Sequence, residues 1–296
     1  MLNKGFLYAT STAIMFATMG IFTKFAYNYD AVNANTLFFS SSLISCLFFL
    51  VILLIKYKNF SFLKINKKDL ILSLLSGGLF GLFLANLSVL KALQYVDVSI
   101  QKIITYSNPL FIALINLFIF KDKLTKQSIT TMLLMIIGLF LVVGKLNLNG
   151  SNIITGIIFA ILSSLFVAVY SVSSERSNST IDYMQYWFFA FLGSFIYASI
   201  YMLFIGELLT VSGLFIFDIK LITLLLCIAV INFALPYITF YKAIATIGAE
   251  KTGIILTMAP VLSIFLSVVL LNEKLTMLQI LGAGLILLAS ILSGKE

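Results

Sequence analysis

Ten stretches of about 20 mostly apolar residues, separated by short polar links, occupy almost all of this chain. Lipid offers no partner to an unpaired backbone N–H or C=O, so a stretch of this length crosses the hydrocarbon core as a helix that satisfies its own backbone. The expected spans are 5–26, 33–55, 70–94, 98–120 and 127–145, followed by 152–174, 183–206, 219–243, 249–271 and 276–293. Only 10% of the residues are charged and 61% are apolar, against about 25% charged in a soluble domain. Little is left for a soluble domain, and the expectation is an all-α integral membrane protein with ten transmembrane helices.

The net charge of +8 marks topology and not a nucleic-acid partner. Lys56, Lys58, Lys64, Lys67 and Lys68 crowd the link after the second span, and Lys121, Lys123 and Lys126 the link after the fourth. Both links lie on the side of the N-terminus. The positive-inside rule therefore places that terminus, and with ten spans the C-terminus too, in the cytoplasm of a cell whose plasma membrane holds the chain. The first span follows a single cation, Lys4, and outlasts a signal-peptide core, so it is expected to stay as a helix. Cys46 and Cys227 fall within spans and read as small apolar fillers.

The chain repeats itself. "GFLYATSTAIMFATMG" from Gly5 aligns without gaps on "GIIFAILSSLFVAVYS" from Gly156, an offset of 151. "YSNPLFIALINLFIFKDKLT" (106–125) aligns on "TMAPVLSIFLSVVLLNEKLT" (257–276) at the same offset, placing Pro109 on Pro260 and Lys123-Leu124-Thr125 on Lys274-Leu275-Thr276. Lys91-Ala92 meets Lys242-Ala243 in the same register. The halves are expected to divide as 1–146 and 147–296. Five spans per half is an odd number, so the second copy starts on the opposite side and the halves are inverted. Inverted repeats are the usual architecture of secondary transporters, which rock about a midplane site.

Residues three and four apart share a helix face. Small residues mark one face of the first span (Ala9, Ala13, Ala17, Gly20), of the sixth (Ala160, Ser164, Ala168, Ser171) and of the third (Gly77, Gly81, Ala85, Ser88), and tight packing explains them first. The eighth span is more polar at the matching positions, with Asn232 and Pro236, which could kink it and free a carbonyl. The fourth span carries Lys102, Tyr106, Pro109 and Asn116 on one face, and the ninth carries Gly253, Thr257, Pro260 and Ser267. A polar stripe on an apolar helix faces protein or water, so these stripes are candidates to line a cavity. The substrate-binding candidates are Asn86, Lys102, Tyr106, Asn108, Tyr170, Asn232, Tyr237 and Thr257, with Pro109, Pro236 and Pro260 as gating or kink positions. Tyr183, Tyr186 and Trp187, which follow a cytoplasmic link, read as interfacial anchors.

Enzyme chemistry finds no footing. The chain lacks histidine altogether, GxSxG is absent, and the few acids are scattered singly. No metal site, cofactor or mid-membrane proton relay is expected. No ring of charge or filter loop marks a channel.

With a proline in the fourth helix of each half, followed some twelve residues later by an acidic-basic pair and Leu-Thr, the chain resembles the drug/metabolite transporter superfamily, EamA type. "APVLSIFLSVVLLNEKLTMLQILGAGLILLASIL" (259–292) is the closer match, with Glu273 as its acid; the first half has Asp122 there and no preceding glycine. The resemblance implies a ten-helix fold with cytoplasmic termini and a central cavity lined mainly by helices 1, 3, 4, 6, 8 and 9. It implies transport of a small organic metabolite, foremost an amino acid or derivative moving outward. Amines, nucleosides or phosphorylated sugars are the alternatives, and the expected partners are that solute and the lipid bilayer.

Overall fold

The computed structural model describes residues 4–123, 125–143, 151–177, 181–208 and 219–293. The first half comprises α1 (Lys4–Ala26), α2 (Ala34–Tyr57), α3 (Lys67–Leu93), α4 (Val98–Thr105 continued by Asn108–Phe118) and α5 (Lys126–Val143). The second comprises α6 (Ser151–Glu175), α7 (Tyr183–Phe204), α8 (Ile219–Ile247), α9 (Ala249–Leu256 continued by Met258–Leu271) and α10 (Met277–Ser293). Among the described residues nine helices are long and apolar enough to cross a membrane, and α10, apolar along its 17 residues, is the tenth. The expected division at 146/147 lies outside the described residues.

The packing of one half mirrors that of the other. α3 lies against α7 as α8 lies against α2, and the last segment of α3 packs on α6 as the last segment of α8 packs on α1. The second segment of α4 meets α6 as that of α9 meets α1, while α2 pairs with α7 and α5 with α10. Every helix thus meets the counterpart of its own partner, the arrangement that a twofold axis between inverted repeats produces.

Equivalent helices also share irregularities. α3 winds with i→i+5 hydrogen bonds from Ser73 to Leu84, and α8 does so from Ile228 to Ala234. Such wide turns release backbone carbonyls and recur at functional sites. In α3 the carbonyls of Gly81 and Leu82 accept from Asn86 Nδ2 at 3.3 and 3.1 Å, Leu82 also accepting from the Ala85 N–H.

The main apolar core joins α2, α3, α7 and α8, where Phe38, Phe49, Phe191 and Phe233 are almost fully enclosed. Small residues let helices close on it, as their spacing predicts. Ala9, Ala13 and Ala17 of α1 have no exposed surface, and a Cβ added at Gly81 would stand 2.9 Å from the Tyr170 ring. Cys46 and Cys227 are free thiols, the first buried.

α5 and α10 approach each other closely, and a Cβ added at Gly282 would lie 2.6 Å from the Gly138 carbonyl oxygen. Backbone cannot yield there as a side chain could, so Gly282→Val is expected to separate the helices and cost about 1–3 kcal/mol. A lower unfolding temperature of the detergent-solubilised protein, relative to Gly284→Val where the added carbon meets open space, checks this.

Candidate functional site

The polar face of α4 sits where the helix is interrupted. Its first segment ends at Thr105, Tyr106 and Ser107 take ψ values of 2° and 8°, and a new segment starts at Asn108 with Pro109 in its first turn. Proline suits that position because its fixed φ is helical and its missing N–H would have no partner there. Pro260 stands likewise just after the Thr257 joint of α9, and Pro236 just after the wide-turned stretch of α8. Pro109 and Pro260 therefore stand in the first turn after an interruption, whereas Pro236 follows wide turns within an unbroken α8.

The candidates separate into distinct groups. Lys102 is 9% exposed, and no described side chain hydrogen bonds or pairs with its ammonium. The little surface it keeps includes that charge, since the ammonium is not among the enclosed polar atoms that lack partners. Tyr106 is partly buried one turn further on, and Asn108 opens the next segment. Behind this face Gln101 Nε2 donates to Thr105 Oγ1 at 2.7 Å and Thr105 Oγ1 lies 2.9 Å from Ser163 Oγ, binding α4 to α6.

Tyr170 and Tyr237 belong to an aromatic cluster formed by α6, α7 and α8. Trp187 lies 3.9 Å from the Tyr237 ring and 6.1 Å from that of Tyr170, and Tyr183 stacks on Tyr241 at 4.2 Å. The Tyr183 hydroxyl donates to the Tyr237 carbonyl at 2.9 Å, and Asn86 lies beside the Tyr237 hydroxyl. The anchoring role expected for Tyr186 and Trp187 is overturned: they are 9% and 2% exposed and lie in the core. The Trp187 indole lies beside the Tyr183 hydroxyl, and the Tyr186 hydroxyl beside Ser76, Ser174 and Tyr170. Proximity to a polar link in sequence hid this, because the first turn of α7 points inward under Phe62, which packs on Phe188.

Two candidates are occupied elsewhere. Asn232 Nδ2 donates to the Met15 carbonyl and to Thr18 Oγ1, tying α8 to α1. Thr257 Oγ1 donates to the Ile254 carbonyl within its own helix at 2.6 Å.

A feature absent from the candidate set lies at one end of the bundle. Glu273, just past α9, accepts from the Val98 N–H at 2.7 Å, the Ser99 N–H at 3.0 Å and the Ser99 hydroxyl at 2.6 Å. A carboxylate suits the positive end of a helix, whose first N–H groups have no internal acceptor. Lys24 of α1 faces Glu273 and Asp97. Partial burial, with the Glu273 carboxylate nearby, holds the Asp97 carboxyl above the ordinary range. The signal for Glu273 was its place in the repeated acidic Leu-Thr motif; what it binds, 174 and 175 positions away in sequence, follows only from the fold.

These features define a multi-pass membrane transporter built from two related, inverted halves. The chain belongs to the EamA-like transporter family, whose model matches residues 3–144 and again 154–294. It is 26% identical over 286 residues to the uncharacterized transporter YcbK of Bacillus subtilis (strain 168), covering 95% of this chain and 89% of that one. It is 25% identical over 302 residues to an uncharacterized transporter of Clostridium kluyveri, covering 99% and 93%. A solved crystal structure, described only as that of a protein, shares the fold with a TM-score of 0.63 at 17% identity, covering 98% of this chain and 96% of its own.

Trp187 stands at the centre of the aromatic cluster, so Trp187→Ala is expected to cost about 3–5 kcal/mol. Thermal unfolding in detergent, with Trp187→Phe as the milder comparison, measures the loss.

Proposed function

We propose that this chain is a secondary carrier that moves a small organic metabolite, foremost an amino acid or derivative, outward by alternating access. The observation that carries the substrate reading is Lys102, a buried cation with no described protein partner. Burying an isolated charge is costly unless a partner of opposite sign meets it. A substrate carboxylate is such a partner. Tyr106 and Asn108 are next along the same helix, and Tyr170 and Tyr237 supply hydroxyl and aromatic surface for the remainder of the molecule.

In this reading the repeats are 1–146 and 147–296, both termini are cytoplasmic, and the plasma membrane holds the protein. The Glu273 end then faces outward and the Asp122 end inward. Lys102 also favours a second reading, a phosphorylated sugar, over an amine, since a phosphate is likewise an anion.

Reconstitution into liposomes tests both. Unlabelled amino acid outside is expected to accelerate exchange of labelled amino acid inside; flux of neither amino acids nor phosphorylated sugars would overturn the carrier reading. Loss of a charge-assisted hydrogen bond, about 1.5–3 kcal/mol, predicts that Lys102→Gln weakens substrate binding about 10- to 100-fold, and Lys102→Arg by less. Pro109→Ala and Pro260→Ala are expected to slow exchange more than they lower the yield of folded protein. Equal losses in both would show that the prolines serve folding alone.

A further inference from the structure

The two repeats build the same acidic corner, but only one corner holds a helix. A left-handed residue follows the second segment of each helix: Lys121 (φ 59°), three residues past Phe118 of α4, and Asn272 (φ 55°), directly after Leu271 of α9. The next N–H then turns back to the carbonyl six residues earlier, Asp122 to Asn116 at 3.0 Å and Glu273 to Ser267 at 3.3 Å. This bond is one residue wider than the 6→1 bond of a Schellman helix terminus. Both acids are therefore presented by equivalent backbone, related by the same sequence offset as the prolines.

Their surroundings differ. At the Glu273 end, three hydrogen bonds fix the N-terminus of α4, and the first segment of α4 packs on the second segment of α9. Val98, Ser99 and Gln101 are fully enclosed, and Val98 fills the space beside Gly20 of α1. At the Asp122 end the carboxylate is half exposed and pairs instead with Arg176, just past the end of α6.

The inverted counterparts of Val98 and Ser99 are Ala249 and Glu250. The first segment of α9 keeps its packing on α1, as that of α4 does on α6, yet it has no comparable packing on the second segment of α4. Its Gly253 faces open space and its Ile254 is 47% exposed. The two halves therefore diverge at one contact.

The joints explain how. Asp97, before α4, has an extended backbone with φ −65° and ψ 154°. Its counterpart Gly248, before α9, has φ 84° and ψ 163°, a region that only glycine enters readily.

We propose that Glu273 and Asp122 are reciprocal latches of the transport cycle, with Gly248 as the hinge of the second. In the state described here Glu273 closes one end by holding the N-terminus of α4. In the opposite state that N-terminus is released, Gly248 returns to the extended conformation of Asp97, and Asp122 leaves Arg176 to accept the N–H groups of Ala249 and Glu250. The Arg176–Asp122 pair is solvent-screened and separates at little cost, with Arg176 keeping the Asn116 amide oxygen and the Phe120 ring, whereas an acid at a helix N-terminus gains hydrogen bonds and the helix dipole together. Glu273 and Asp122 are thus positioning residues that need not touch substrate.

The inference rests on the alternating-access reading, and its test does not require knowing the substrate. In a background lacking Cys46 and Cys227, Val98→Cys reports the Glu273 end and Gly253→Cys the Asp122 end. A membrane-impermeant thiol reagent is applied to right-side-out and inside-out vesicles. In the otherwise unchanged protein Gly253→Cys reacts from one face and Val98→Cys is protected. Adding Glu273→Gln is expected to raise the labelling of Val98→Cys from the other face about tenfold or more, the effect of losing a charge-assisted hydrogen bond, and to protect Gly253→Cys.

Gly248→Ala, which leaves both acids intact, should shift the reporters in the same direction, because alanine tolerates the extended joint and not the left-handed one. Asp122→Asn added to Gly248→Ala should restore the labelling of Gly253→Cys. Continued protection of Val98→Cys in both Glu273→Gln and Gly248→Ala, with monodisperse elution showing that they fold, would overturn the latch. Exposure of both reporters at once would overturn the reciprocity and with it alternating access, even where flux is measured.

Discussion

The hydrocarbon core of a bilayer gives a backbone nothing to bond to, and that constraint organises this molecule. It requires helices, and it requires that any interruption in them be answered by a neighbour. The breaks in α4 and α9 and the wide turns in α3 and α8 all meet that demand from within the bundle. Asn86 adds a donor to the carbonyls of Gly81 and Leu82 beside the wide turns, and Glu273 answers the helix-end N–H groups of Val98 and Ser99. Polar side chains placed this way sit where helices are discontinuous, so the positions that satisfy the backbone are also those around which segments can move.

The twofold relation between the halves gives this arrangement its functional meaning. Two copies of one design need not be in the same state at the same time, and here the contact of α4 with α9 at the Glu273 end lacks an equal at the Asp122 end. The local frames are the same, down to a left-handed residue before each acid. The difference lies in what each acid holds and in the backbone state of one glycine joint. A bundle whose pairs α2 with α7 and α5 with α10 are packed through aromatic rings and small residues can keep its frame while the segments of α4 and α9 change partners.

The legibility of the sequence was uneven for physical reasons. Hydropathy revealed the spans because burial in lipid acts on every residue of a helix. The repeat revealed the inversion because a proline and a charged tripeptide kept their register within otherwise interchangeable apolar text. Site residues were harder to read. Lys102 stood out as a charge on an apolar helix, and in the fold it is buried and without a described partner. Asn232 and Thr257 looked equally polar, yet they bond within the helical framework. Trp187 was misread because its place near a link in sequence does not reveal which way the first turn of α7 faces.

Residue type along the chain is enough to set the number of spans, the duplication and the points at which helices restart. Which polar groups remain free and which acid holds a helix emerge only when the helices pack. Those outcomes depend on contacts between residues far apart in the chain, such as Ser99 with Glu273, and on backbone states such as the left-handed φ of Gly248. Side-chain chemistry permits these states without choosing among them; the packing of one half against the other makes the choice.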